Sequence, residues 1–330
     1  MKTVSIYHSI DLDGWMSAAI VKNWWINKHK NSYIQTNKNQ YTAQNGCDSI
    51  DFIGYNHYQP IPDLSTYDEI IMCDISFSAE EMKKISSKTI WIDHHISSIL
   101  DWQNVELSDL DNKIYQLEGI RDTKFAACEL TWMYLFPNET MPEIVRLLGL
   151  YDSFRHKCTD DEEKVLEFQY GARSIIKNYE DAYDYLNIEY RKYGEYNQEI
   201  NKRISDKGLS IYQYLCTDAI HIYNTGFEII LQEPYVGQWG SGKENRKFIC
   251  INNERFNPSN FGINYHDDGY DGCACFYYDN GMWNFSIYNA NGLVDCSLIA
   301  KQYGGGGHMG ASGMMLNTEQ FLKLINSKNV

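Results

Sequence analysis

The sequence predicts an α/β fold whose N-terminal part is a mostly parallel sheet flanked by helices, and three observations predict it. Short β-type runs recur at residues 4–7, 49–53, 70–73 and 89–92. Helix-patterned stretches, such as residues 14–25, fall between them. Residues able to bind a cation follow three of the runs: Asp11 and Asp13, then Asp74, then Asp93-His94-His95. Alternation of this kind argues for parallel strands joined by crossover helices.

Taken in order, the run at 4–7 leads into the helix at 14–25, and the runs at 49–53 and 70–73 follow. Ser78, with Glu81 three positions later, has the spacing of a capping box and opens the next helix. The run at 89–92 closes the strand-rich part. Apolar residues at helical spacing then mark residues 125–136, 141–151 and 160–176 as helices. Residues 180–216 read as a polar helical stretch interrupted at Gly194 and Gly208, with tyrosines as its main large apolar groups.

The remainder is β-rich and predicts a smaller C-terminal α/β domain with a mixed sheet. Residues 219–223 and 227–231 read as one hairpin. Residues 273–278 and 283–288 read as another, joined by Asp279-Asn280-Gly281. Alternation puts Cys273 and Cys275 on one face of their strand, as core. A short helix at 297–303 precedes Gly304-Gly305-Gly306-Gly307-His308. The expected division is a metal-binding domain at 1–178, a helical linker at 179–216 and a substrate-binding domain at 217–330.

Bulk properties narrow the function classes. The 330 residues carry 29 basic and 44 acidic side chains, a formal charge of −15, which would repel a long polyanion such as duplex DNA. A small phosphorylated ligand held through metal ions is compatible with that charge. No apolar stretch approaches the ~20 residues of a membrane span, and Met1-Lys2-Thr3 runs into a polar strand with no signal-peptide pattern. Nine scattered cysteines without a Cys-x-x-Cys pair suit reduced thiols in a cytoplasmic setting. A homodimer is the default oligomer.

In an open parallel sheet, ligands bind beyond the carboxyl ends of the strands. Asp11, Asp13, Asp74, Asp93, His94 and His95 converge at that edge if the sheet is parallel. Singly, each has an ordinary explanation: a solvated turn, a helix cap or a surface histidine pair. Jointly they point to a cation site. Carboxylates mixed with imidazoles suit manganese, iron, cobalt or zinc, whereas an all-oxygen set would favour magnesium or calcium. Two such ions ~3.5–4 Å apart form a common site for phosphate-ester hydrolysis.

His8-Ser9-Ile10-Asp11-Leu12-Asp13-Gly14, Asp74, Asp93-His94-His95, Asp152 in Gly149-Leu150-Tyr151-Asp152, and Gly304 to His308 resemble, in that order, the motifs of the DHH phosphoesterase superfamily. Asp295, Ile299-Ala300 and Ala311-Ser312-Gly313 extend the likeness to the DHH-associated C-terminal domain. The resemblance implies an active site in the cleft between two domains and two manganese ions, with magnesium or cobalt as substitutes. His8 and Asp11 would hold one ion and Asp13, His94 and Asp152 the other, with Asp74 bridging. It further implies Asp93 as support behind a ligand histidine, His95 as a donor near the leaving oxygen, and a bridging hydroxide as nucleophile.

By the same resemblance, Gly305, Gly306, Gly307 and His308 would bind the substrate's terminal phosphate. Two departures stand out. His8 lies three residues before Asp11, where many members have four. Ser286-Ile287-Tyr288-Asn289 stands where many members carry an Arg-Ser pair. Tyr288 could stack on a base or be a half-buried strand residue, and Asn289 could donate to a phosphate or base edge. Arg121 and Arg155 are candidates to replace the missing arginine.

The leading expectation is a manganese-dependent phosphodiesterase cleaving short single-stranded oligonucleotides to mononucleotides, like an oligoribonuclease. Cyclic dinucleotides and 3′-phosphoadenosine 5′-phosphate are the alternative substrates within the superfamily. A pyrophosphatase is disfavoured by the glycine-histidine signature, and a long-strand exonuclease by the lack of a basic segment. An inactive nucleotide-binding protein is the alternative of a different class.

Overall fold

The structure, a computed structural model, describes all residues except 31, 45, 58, 109–116, 192–197, 238–239, 255, 290–291 and 327–330. It divides into two compact units, Met1–Tyr212 and Gln213–Val330. Both are α/β and each holds one mixed six-stranded sheet.

The elements of the first unit are β1 (Lys2–His8), α1 (Leu12–Lys28), β2 (Tyr33–Asn37), β3 (Gln40–Ala43), β4 (Ser49–Tyr55), β5 (Glu69–Cys73), α2 (Ala79–Ile85), β6 (Thr89–Ile92) and α3 (Ile96–Ser108). There follow α4 (Ala127–Leu135), α5 (Glu143–Asp152), α6 (Glu162–Ile175), α7 (Tyr179–Arg191) and α8 (Gln198–Tyr223), which runs on into the second unit. The sheet order is β2-β3-β4-β1-β5-β6. β4, β1, β5 and β6 are mutually parallel, and β3 and β2 add an antiparallel edge. β1 therefore has parallel neighbours on both sides, from which the chain departs in opposite directions, the arrangement that opens a ligand crevice at the strand ends.

The central strands are apolar without alternation because helices cover both faces. Val4, Ile6, Ile70, Met72 and Trp91 enter one buried cluster, while Tyr7, Ile71, Cys73 and Ile92 enter the other. α1 is buried over most of its surface, between the sheet and α4, α5 and α7.

Residues 179–191, read from sequence as part of a linker, form α7 and pack into the core of the first unit. Tyr179 stacks on Phe52 with ring centroids 4.9 Å apart, and Tyr179, Ala182, Tyr183 and Leu186 are all buried. Lys22 of α1, itself buried, pairs with Glu180 and lies 4.0 Å from the Tyr183 ring centroid. Tyrosine rings supply the apolar contact that a hydropathy reading discounts.

Gly208 does not interrupt α8. A Cβ there would lie 1.7 Å from the Glu167 carbonyl oxygen, so the glycine allows α8 and α6 to touch backbone to backbone. Gly194 lies outside the described residues. Ser78 precedes α2 but makes no side-chain cap hydrogen bond, and Glu81 pairs with Lys84 (2.5 Å), so the capping box does not form.

The second unit contains β7 (Phe227–Gly237), β8 (Gly240–Asn252), β9 (Gly272–Asp279), β10 (Met282–Tyr288), α9 (Cys296–Lys301), β11 (Gly306–Gly307), β12 (Ala311–Leu316) and α10 (Thr318–Ile325). Its order is β11-β12-β10-β9-β8-β7, antiparallel except for the parallel pair β8 and β9. The expected β9–β10 hairpin is present, and Asn280 (φ 48°) and Gly281 (φ 88°) take the left-handed conformations of its tight turn. Residues 219–223 are helical rather than a hairpin strand, since Ala219, Ile222 and Tyr223 present one apolar helix face. β7 pairs with β8 instead.

Cys273 and Cys275 are buried on the same face, and no disulfide joins any of the nine cysteines. Among the described residues, no helix is long and apolar enough to cross a membrane.

Candidate metal centre

At the carboxyl ends of β1, β5 and β6 the chain gathers carboxylates and imidazoles. β1 ends at His8, and Asp11 caps α1 by accepting the Gly14 amide at 3.0 Å. Gly14 must be glycine, because a Cβ would sit 2.0 Å from the His8 carbonyl oxygen. That close approach packs the start of α1 against the end of β1, so that His8, Asp11 and Asp13 share one corner. Asp74, directly after β5, holds a left-handed backbone (φ 61°), uncommon for a non-glycine residue.

Among the groups whose donor atoms lie mutually within 4.8 Å are His8, Asp11 and Asp74, then Asp13, His94 and Asp152, and also Asp74, Asp93 and His95. In the first, His8 Nδ1 lies 2.8 Å from Asp11 Oδ2 and 3.5 Å from Asp74 Oδ2. The three-residue spacing therefore brings His8 to the cluster. In the second, His94 Nε2 lies 3.4 Å from Asp13 Oδ2 and 3.3 Å from Asp152 Oδ2. Asp74 Oδ1 is 3.3 Å from the same His94 nitrogen. Asp74 thus sets one oxygen near His8 and the other near His94.

Asp93 supports a different histidine from the one expected. Its Oδ1 lies 2.8 Å from His95 Nδ1 and accepts the amides of His94 (2.7 Å) and His95 (3.1 Å), while Oδ2 accepts Trp91 Nε1 (3.1 Å). Pairing Nδ1 with Asp93 fixes the His95 tautomer, with a proton on Nδ1. His94, between them, turns to Asp13, Asp74 and Asp152.

Several supporting contacts had no sequence signal. The first turn of α4 donates the Ala127 and Cys128 amides to Asp13 at 2.9 and 2.7 Å, using a helix N-terminus to hold a carboxylate. Glu129 accepts the Ala126 amide and pairs with Arg155. Arg155 also lies over the Phe125 ring, and Arg121 donates to the Trp91, Leu117 and Glu118 carbonyls. Both arginines offered as phosphate binders are thus engaged in the scaffold. At the end of α5, the Ser153 hydroxyl donates to the Gly149 carbonyl (2.6 Å) and His156 Nδ1 to the Leu150 carbonyl (2.9 Å), which fixes the turn carrying Asp152.

His57, also missed, lies past the end of β4, the strand beside β1, with its ring centroid 6.1 Å from that of His8. The protein around its ring, followed by the imidazoles of His8 and His95, pushes its pKa down to about 4, although its outer side is open to solvent.

The other predicted residues belong to the second unit. The glycine run is structured: Gly306 and Gly307 form β11, and a Cβ at Gly305 would lie 2.1 Å from the Gly313 carbonyl. The Gly305 amide donates to Ala300 and the His308 amide to Ala311 (2.7 Å), so neither backbone N–H is available to a phosphate. Asn289 is buried and its amide donates to the Val294 carbonyl at 2.7 Å. Tyr288 packs partly buried against the cluster of Ile249, Cys273 and Tyr265.

The first-unit residues fit divalent cations. Five carboxylates, Asp11, Asp13, Asp74, Asp93 and Asp152, stand among three imidazoles, and among the described residues no lysine or arginine pairs with any of the five. Asp74 Oδ1 is buried and accepts no well-formed hydrogen bond. Burial, then Asp74 and Asp152, hold Asp13 well above the usual carboxylate range, and burial with Asp74 raises Asp152 to about 6. Burial alone would lower His94, but Asp74, Asp152 and Asp13 outweigh it and raise the imidazole to about 10. Such opposed shifts in one buried cluster mark a site short of positive charge, and mixed oxygen and imidazole donors suit a transition-series divalent ion.

No protein-family model matches the chain. The uncharacterized protein R106 of Acanthamoeba polyphaga mimivirus is 25% identical over 338 residues, covering 94% of this chain and 66% of that protein. The chain thus spans just under two thirds of that relative. Solved structures similar to it include a pGpG-specific phosphodiesterase from Vibrio cholerae (12% identity, TM-score 0.41, 98% of this chain and 95% of that one). An exopolyphosphatase-related protein from Bacteroides fragilis has 12% identity and a TM-score of 0.41 over 95% of this chain and 86% of that one. An uncharacterized protein from Helicobacter pylori G27 has 14% identity and a TM-score of 0.29, with 99% of both chains covered. Similarities this distant assign neither fold nor activity, so what the chain can do is read from its own residues.

Proposed function

We propose that this protein is a manganese-dependent phosphodiesterase that hydrolyses short single-stranded oligonucleotides, dinucleotides among them, to mononucleotides. The observation that carries the proposal is Asp74, whose two oxygens stand one near His8 and the other near His94, members of two neighbouring donor groups at the carboxyl edge of a parallel sheet. A shared carboxylate between two such groups suits paired divalent ions better than one ion. Two ions held there would acidify water and neutralise charge developing on phosphoryl oxygens.

The chain's own residues divide the work. His8 and Asp11 would hold one ion and Asp13, His94 and Asp152 the other, with Asp74 contributing to both. Through Asp93, His95 holds its Nδ1 proton inward and presents Nε2 to donate a proton to the leaving oxygen. Burial alone would lower His95, but the Asp93 carboxylate outweighs it and raises the imidazole above its ordinary value, which favours the protonated donor. In the second unit, recognition of a substrate phosphate is assigned to Gly306, Gly307 and the His308 imidazole. The net charge of −15 favours a small substrate over a long strand.

The test is incubation of the protein with manganese and labelled pGpG, beside a cyclic dinucleotide, 3′-phosphoadenosine 5′-phosphate and pyrophosphate. Release of mononucleotide from pGpG ahead of the other three supports the proposal. Turnover of another panel member in preference reassigns the substrate, and tight binding without turnover of any makes the protein a nucleotide binder.

A further inference from the structure

His57 lies outside both donor groups of the centre, yet belongs to the same edge of the sheet. β4 runs parallel to β1 with Tyr55 in register with His8, so the chain leaving β4 enters the crevice beside the chain leaving β1. The turn that presents His57 is built. Asn56 Oδ1 accepts the His57 amide at 2.8 Å, Gln59 Oε1 accepts the Asn56 amide at 3.1 Å, and the Tyr55 hydroxyl donates to the Gln59 carbonyl at 3.0 Å. This fixes the backbone under the imidazole, whose ring centroid stands 6.1 Å from that of His8. Among the described residues, no group of three donor atoms within 4.8 Å of one another includes His57. It therefore stands beside the cation ligands and not among them.

An anionic substrate entering this edge meets the carboxylates of Asp11, Asp13, Asp74, Asp93 and Asp152. The two nearby arginines are held by Glu129 and by main-chain carbonyls. Besides the cations themselves, an imidazole on the solvent side of the first donor group is the kind of polar group that can meet a phosphate oxygen.

We infer that His57 is a substrate-contacting residue, hydrogen-bonding a phosphate oxygen of the nucleotide on the β4 side of the centre. The substrate class rests on the phosphodiesterase reading, but the contact can be tested without turnover. The experiment titrates the manganese-loaded full chain with AMP by calorimetry, for wild type, His57→Ala and His57→Gln, with manganese affinity measured separately. Loss of one hydrogen bond to a charged group predicts AMP affinity about tenfold or more weaker in His57→Ala, a smaller loss in His57→Gln, and unchanged manganese affinity in both. AMP binding equal to wild type in His57→Ala overturns the assignment, as does loss of manganese, or absence of AMP binding by wild type. If AMP binding depends on His57 while pGpG is not cleaved, the contact stands and the phosphodiesterase proposal fails.

Discussion

Asp93 Oδ1 and His95 Nδ1 lie 2.8 Å apart, so the first and third residues of Asp93-His94-His95 form a dyad and the middle one faces the carboxylates. One short sequence thereby turns one imidazole to the carboxylate cluster and orients the other separately.

Asp93→Asn should spare cation binding and remove the charge that fixes and protonates His95. The expected outcome is a fall in kcat of about 10²-fold or more, the usual scale for a positioned acid, with the alkaline limb of the pH–rate profile moved to lower pH. Steady-state kinetics across pH checks it, and an unchanged profile would remove His95 from the reaction.

The metal-free centre should have an inverted pH dependence. Asp152 is raised to about 6 in the folded chain, from an unfolded value near 3.9, so the folded state binds more protons in that interval and stability falls as pH rises through it. His94, raised to about 10, adds stability that is complete below about pH 6.5 and is lost as pH rises towards 10. Metal-free protein should therefore melt at higher temperature at pH 6 than at pH 9. Saturating manganese, which competes with protons for the same atoms, should weaken or reverse the order. Thermal melts with and without chelator check both signs.

Gly14→Ala tests how α1 sets the centre without touching a ligand. A Cβ 2.0 Å from the His8 carbonyl must separate α1 from β1, moving His8, Asp11 and Asp13 together. Manganese affinity should fall at least about tenfold, beyond what the change in folding stability explains. Calorimetry at a temperature where the variant is folded reads this.

Gly208→Ala is the counterpart away from the centre. Its Cβ would meet the Glu167 carbonyl at 1.7 Å, and overpacking of this kind costs about 1–3 kcal/mol. Urea unfolding should show that loss while manganese affinity of the folded protein is kept.

Sequence reasoning reached the parts of the structure governed by local pattern. The parallel strands β1, β4, β5 and β6 are apolar runs, and the residues following three of them are the ligand candidates that the fold gathers. His57 follows the remaining one, past Tyr55, and the rule that singled out Asp74 could have found it. The Asp13 contact to the α4 amides and the role of Arg155 depend on tertiary pairing and leave no local trace. α7 was hidden because Tyr179 and Tyr183 bury rings that hydropathy counts as nearly polar. The Asn289 amide donates to the Val294 carbonyl, a contact that spacing does not reveal.

If Asp74 joins two cation sites, the manganese stoichiometry must show it. Equilibrium dialysis of the full chain should show two manganese ions bound per chain in wild type, and loss of at least one in Asp74→Ala with the variant still folded. One ion per wild-type chain, or two retained by Asp74→Ala, would contradict it.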